Sequence, residues 1–234
     1  MHNPIICALD TPDIPTARAI AGDVQPHVGA IKLGLEFFTA HGAAGVKQIA
    51  EAGTPIFLDL KFHDIPNTVA KAVEATAGID CFMMTIHTSG GAEMMRRAVS
   101  AARKLESESG KPRPKIVGVT LLTSLDETDV VDIGYGRSLA EQAKRLASLA
   151  QVCGLDGVVC SPFEIEGIRA ACGDDFTLVV PGIRPAGADK QDQKRVMTPK
   201  EALDAGANYL VIGRPITGAD NRTNAAKAIA ESLA

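Results

Sequence analysis

Pro55-Ile-Phe-Leu-Asp-Leu-Lys-Phe-His-Asp-Ile-Pro-Asn-Thr68 sets a short apolar run directly against a cluster of charge. Residues from Pro55 to Leu58 read as a buried strand, and the strand is expected over Ile56–Leu60. Asp59 and Lys61 lie two apart, so on a strand they point the same way. Asp64 follows three residues later, beyond the expected strand end. An acid, a base and a second acid therefore converge on one place. Unpaired charge is costly inside a core. The cluster is thus either an ion-pair network or a catalytic site.

Outward from this segment, short apolar runs recur with amphipathic, Ala-rich segments between them. The runs are Ile5–Leu9, Ala30–Leu33, Ile56–Leu60, Cys81–Ile86, Ile116–Thr120, Gly157–Cys160, Thr177–Val180 and Tyr209–Ile212. Thr11-Pro12 with Asp13, Ser161-Pro162 and Thr198-Pro199 look like helix starts. Ala140–Val152 and Glu201–Ala205 have helical composition. Gly42, Gly53, Gly78, Gly110, Gly154, Gly173 and Gly206 fall where helices are expected to end. Ser107–Lys115 is polar, carries two prolines and reads as a surface loop. Eight strand–helix alternations predict a parallel α/β sheet, and eight strands close a (β/α)8 TIM barrel. The expectation is a single catalytic domain over residues 1–234, with a doubly wound open sheet as the alternative.

The polar residues then fall into order. Asp10, Lys32, Asp59, Lys61, His87, Thr123, Ser161, Arg184 and Arg214 all sit at or just after expected strand C-termini. In a barrel those ends meet on the face that carries the active site. Arg184 and Arg214 suit a phosphate dianion through forked, charge-assisted hydrogen bonds. Each follows a glycine, Gly182 or Gly213, and both come after the last two strands, where barrels place phosphate. The polar stretch 181–196 reads as a lid.

Composition narrows the function classes. The chain has 234 residues, 46% of them hydrophobic, with a net charge of -4 and no tryptophan. No basic stripe points to nucleic acid or to a membrane surface. No stretch approaches the roughly 18 apolar residues of a membrane helix. The five cysteines include no CxxC pair, which suggests neither a disulfide framework nor a zinc site. They read as small buried residues in a reducing compartment, and with no leader pattern the expected location is the cytoplasm. His63 and His87 lie near carboxylates, yet no metal site is expected. The pairs Met83-Met84 and Met94-Met95 read as packing.

The chain resembles the orotidine 5′-phosphate decarboxylase family in its shorter bacterial form. That family's Asp-x-Lys-x-x-Asp-Ile-Pro-x-Thr pattern matches at Asp59, Lys61, Asp64, Ile65, Pro66 and Thr68. Further matches are Ala-Leu-Asp at 8–10, Lys-Leu-Gly at 32–34, Val-Thr-Leu-Leu-Thr-Ser at 119–124 and Val-Cys-Ser-Pro at 159–162. Pro-Gly-Ile-Arg-Pro at 181–185, Asp-Gln-Lys-Arg at 192–195 and Gly-Arg-Pro-Ile at 213–216 complete the set.

The resemblance implies decarboxylation of orotidine 5′-phosphate to uridine 5′-phosphate, the last step of de novo UMP synthesis, with no metal and no organic cofactor. It implies Lys61 as the group that stabilises and protonates the carbanion, with Asp59, Asp64 and Lys32 as its catalytic companions. Asp10, Lys32, Asp59, Thr68, Thr123, Arg184, Gln193, Gly213 and Arg214 would bind substrate. Asp64 and Thr68 would serve the neighbouring subunit's site, which implies a homodimer.

Two rivals share the barrel. A metal-dependent relative of the 3-keto-gulonate-phosphate decarboxylase or hexulose-phosphate synthase type would use a Glu on the second strand to hold magnesium. Here that position is Lys32, which repels a cation. A Schiff-base lysine must be neutral to attack, whereas Asp59 and Asp64 favour the ammonium form of Lys61. A non-catalytic phosphoribosyl-binding barrel would keep Arg184, Arg214 and Thr123 but would have no need of both Asp59 and Lys61.

Overall fold

A computed structural model describes residues 3–185 and 196–233. Eight parallel strands close into a barrel in sequence order. They are β1 (Ile5–Leu9), β2 (Ala30–Gly34), β3 (Ile56–Phe62), β4 (Cys81–His87), β5 (Lys115–Val119), β6 (Gly157–Val159), β7 (Thr177–Val180) and β8 (Tyr209–Ile212). Closure comes from β8 pairing back on β1, with Ile5 opposite Leu210 and Cys7 opposite Ile212. The barrel expectation holds and the open-sheet alternative does not. The connecting helices are α1 (Ile14–Val24), α2 (Leu35–Ala50), α3 (Pro66–Glu74), α4 (Gly91–Ser109), α5 (Glu127–Asp132) and α6 (Leu139–Val152). They continue with α7 (Ile165–Cys172), α8 (Pro199–Asp204), α9 (Arg214–Thr217) and α10 (Arg222–Glu231). None of the described helices is long and apolar enough to cross a membrane.

The strands are near-continuous apolar runs because both of their faces are covered. Ile5, Cys7, Leu9, Ile31, Leu33 and Leu58 face outward into the layer shared with the helices. Ile6, Ala8, Ala30, Phe57, Met83 and Val211 fill the barrel interior. The two-residue period then does further work. One step beyond the inward-facing Ala8, Ala30 and Phe57 stand Asp10, Lys32 and Asp59. The alternation that packs the barrel floor thereby delivers charge to its C-terminal rim.

Local signals behave largely as expected. Asp13 caps α1, its carboxylate accepting from Thr16 N at 2.8 Å. Thr198 and Glu201 form a reciprocal capping box at the start of α8. All five cysteines are free and buried, and the four paired methionines are fully buried. Two expectations are corrected. Gly42 does not end a helix; with φ 58° it kinks α2 internally. The 107–115 segment is not all loop, because α4 runs on to Ser109 and stops at the left-handed Gly110, while β5 starts at Lys115. The Lys and Glu side chains of 104–108 are good helix formers, and only Gly110 interrupts them.

A forked ion pair locks the opposite end of the barrel. Arg113 Nη1 and Nη2 donate to Asp156 Oδ2 and Oδ1, both at 2.7 Å, and Asp156 Oδ2 also accepts from Ile116 N at 2.8 Å. This joins the entrances of β5 and β6. Arg113→Ala is expected to lower the unfolding free energy by about 2 kcal/mol, since hydrogen bonds to charged groups are worth that order. The measurement is the denaturant midpoint at unchanged slope. An unmoved midpoint would show that the clamp adds nothing.

Candidate active site

The strand C-termini frame a cavity of about 250 Å³. Among the residues singled out from sequence, Asp10, Lys32, Asp59, Lys61, Thr123, Arg184, Gly213 and Arg214 line it. They come from the ends of β1, β2, β3, β5, β7 and β8. Phe57, Val159 and Val211 supply an apolar floor, which the interior side of the strand alternation dictates.

The charged side chains form one alternating row. Lys32 Nζ lies 3.7 Å from Asp10 Oδ1 and 3.5 Å from Asp59 Oδ2, and Lys61 Nζ donates to Asp59 Oδ1 at 2.9 Å. Asp59 and Lys32 side chains are only 13% and 12% exposed, so these charges are largely out of water. Burying them is tolerable because each is flanked by its opposite. Burial pushes the Asp59 carboxyl towards a higher pKa. Lys32 and Lys61, with hydrogen bonds from Lys61 and Thr85, outweigh that and hold it below the usual carboxylate range. Asp59 is therefore ionised at neutral pH between two cations.

The route by which Asp59 and Lys61 meet differs from simple alternation. β3 does not end at Leu60; it continues to Phe62 with Lys61 at φ 52°, a left-handed backbone on a non-glycine residue. Such a conformation costs on the order of 1–3 kcal/mol and persists only where surroundings enforce it. Leu58 pairs with Met84 and Phe62 with Ile86, so four steps along β3 face two along β4. That bulge re-aims the Lys61 side chain. Thr85 of β4, fully buried, sits against the distortion. Its Oγ1 accepts from Lys61 N at 2.8 Å and donates to Asp59 Oδ1 at 3.0 Å. Sequence reasoning missed Thr85. The available signal was its place between Met83 and His87 in the inward-facing column of β4.

The anion-binding candidates are in place. Arg184 is almost fully buried, and its main-chain N–H donates to Met197 O at 3.0 Å. Ile183 and Met197 form a parallel bridge, which fixes the stem where the chain leaves and re-enters the barrel rim. Gly182 has φ 77°, a conformation that glycine adopts without steric cost. Gly213 has a negative φ and precedes α9, which begins at Arg214. Gln193 and most of the expected lid lie outside the described residues.

The remaining candidates stand apart. Asp64 and Thr68 are exposed and do not line the cavity. Asp64 Oδ1 accepts from Ile65 N at 2.6 Å, so within one chain the charge row stops at Lys61. His87 stacks against His63 with ring centroids 5.3 Å apart instead of lining the cavity. Burial first, then His63 and Lys61, lowers its pKa against the opposing pull of Asp59. Among the described residues, no three His, Cys, Asp or Glu side chains are grouped to hold a metal ion.

Comparison with known proteins matches this geometry to a family. The family model described as orotidine 5′-phosphate decarboxylase / HUMPS matches residues 3–229. An orotidine 5′-phosphate decarboxylase of Paramagnetospirillum magneticum is 49% identical over 233 residues, covering 100% of this chain and 99% of the relative. One from Moorella thermoacetica is 50% identical over 230 residues, covering 98% and 91%. A crystal structure of orotidine 5′-phosphate decarboxylase from Lactobacillus acidophilus superposes with a TM-score of 0.87 at 37% identity, covering 99% of each chain. On the match over residues 3–229 and near-half identity along its whole length, this chain belongs to the orotidine 5′-phosphate decarboxylase / HUMPS family.

Proposed function

We propose that this chain removes CO2 from orotidine 5′-phosphate to give uridine 5′-phosphate, the last step of de novo UMP synthesis, and needs neither metal nor organic cofactor. The observation that carries the reading is the alternation Asp10–Lys32–Asp59–Lys61. Lys32 fills the place between the two carboxylates that a divalent ion would require. That disfavours the metal-dependent hexulose-phosphate synthase type of the same family. A phosphoribosyl-binding protein without catalysis would have no use for a desolvated Asp59–Lys61 pair.

The chemistry follows from the charges. Loss of CO2 breaks the bond from C6 to the carboxylate carbon, and its electron pair stays on C6. The Lys61 ammonium faces that developing carbanion. At ~4 Å and an effective dielectric of ~20, such a charge pair is worth about 4 kcal/mol. Lys61 then gives a proton to C6, and the resulting amine recovers one from water. Asp59 keeps Lys61 charged and aimed. Its own charge also disfavours a neighbouring carboxylate, a repulsion relieved as neutral CO2 departs.

Substrate binding is assigned by chemistry. Arg184 and Arg214 hold the phosphate dianion. Asp10 and Lys32 bind ribose hydroxyls, Thr123 the pyrimidine edge, and Gln193 and Gly213 complete the shell. Phosphate binding, remote from C6, supplies energy for closure over the base. Asp64 and Thr68 act in the neighbouring subunit of a homodimer. Their exposure supports this, as do the exposed Leu35, Ile65, Leu122 and Phe163 in loops after β2, β3, β5 and β6. The whole chain acts as a single catalytic domain, and its place is the cytoplasm.

The test is loss of orotidine 5′-phosphate absorbance with EDTA present throughout. Turnover is expected to be unchanged by the chelator. Absence of turnover, or turnover restored only by added magnesium, would overturn the reading.

A further inference from the structure

We infer that Thr85 is a positioning residue for decarboxylation, its hydroxyl setting the placement of Lys61 relative to Asp59. The inference rests on the function proposed above. A threonine hydroxyl has one proton to donate and lone pairs to accept with. Here the acceptor side takes the Lys61 N–H at 2.8 Å and the proton goes to Asp59 Oδ1 at 3.0 Å. Asp59 Oδ1 is the same oxygen that accepts from Lys61 Nζ at 2.9 Å. One buried hydroxyl therefore touches both the backbone that carries the base and the carboxylate that pairs with it.

Other buried threonines in this barrel behave differently. Thr76, Thr88 and Thr120 donate to the main-chain carbonyls of Val73, Val119 and Val159. Thr85 spends its proton on a carboxylate at the cavity instead. Its acceptor role is also specific to this place. The bulge between Leu58 and Phe62 interrupts the β3–β4 ladder, so the extra residues lose their ordinary backbone partners. The Thr85 hydroxyl stands where a ladder carbonyl would be and holds Lys61 at φ 52°. Without it, the Lys61 main chain is released towards ordinary extended geometry, and Nζ moves with it.

Thr85→Val keeps the shape and removes the hydroxyl; Thr85→Ser keeps the hydroxyl. With orotidine 5′-phosphate as substrate, Thr85→Val is expected to lower kcat by about 10- to 100-fold, the scale of a sub-ångström to 1 Å misplacement. KM and the Kd for uridine 5′-phosphate should stay within about threefold, because both hydrogen bonds of this hydroxyl join protein groups and neither reaches the nucleotide. Thr85→Ser should stay within about threefold of wild type in every parameter. Thr85→Cys, small and without an oxygen donor, gives the same readout if the valine variant does not fold. The inference fails if the hydroxyl-free variant keeps wild-type kcat or if serine is as impaired as valine. It also fails if uridine 5′-phosphate binding weakens in step with kcat. A wild-type protein inactive on orotidine 5′-phosphate would sink the proposed function. Active wild type with an indifferent valine variant would sink only the role of Thr85.

Discussion

Lys61→Ala is expected to lower turnover of orotidine 5′-phosphate by about 10⁵-fold or more, while uridine 5′-phosphate still binds within about tenfold of wild type. Two losses combine. The electrostatic pairing of about 4 kcal/mol corresponds to roughly 10³-fold in rate. The lost proton donor removes a further ~10²- to 10⁴-fold. Binding is largely spared because the phosphate end rests on Arg184 and Arg214, at the far side of the cavity lining from β3. Asp59 keeps a cationic neighbour, since Lys32 Nζ remains 3.5 Å from its Oδ2. The measurement is single-turnover decarboxylation beside a nucleotide titration. Retention of substantial turnover would show that another group protonates C6.

Mixing two inactive variants is the second large effect. Asp64→Ala and Lys61→Ala chains should each be inactive alone. In a dimer that shares sites, one half of each heterodimer receives native Lys61 from one chain and native Asp64 from the other. Random exchange at equal concentrations makes about half the dimers mixed, each with one intact site, so activity should rise to about one quarter of wild type. Exchange is verified by tagging one variant and co-purifying the other. No recovery among chains shown to exchange would place Asp64 in its own chain's site. The exposed position of Asp64, with Ile65 beside it 69% exposed, is the reason to expect recovery.

Much of the architecture was legible because parallel barrel strands are buried on both faces. Runs such as Ile5–Leu9 and Tyr209–Ile212 stand out as apolar blocks, and their observed bounds match those read from sequence. The charged rim was legible for a related reason. A residue such as Lys32, placed in an apolar strand, must find a partner, and strand ends in a barrel converge on one face. The kink at Gly42 was not legible, because a glycine within a helical pattern reads equally well as a stop. Nor was the outward position of Asp64 and Thr68 readable from residue type alone, since both polar side chains suit a rim and a surface alike.

Residue order by itself determined the barrel, the set of groups gathered at its C-terminal rim and the alternating signs of their charges. Each of these depends on local periodicity and on the high cost of an unpaired buried charge. Tertiary structure alone decided how Asp59 and Lys61 meet. The spacing of two suggested an ordinary strand, yet the pair is made by a bulge, a left-handed lysine and a hydroxyl from the next strand. Register between β3 and β4 is a property of two segments more than 20 residues apart, as the 24-residue separation of Lys61 and Thr85 illustrates. No pattern within either segment encodes it. It also decided that the charge row ends at Lys61 within one chain and leaves Asp64 facing outward, because the chain turns away into α3 immediately after the strand.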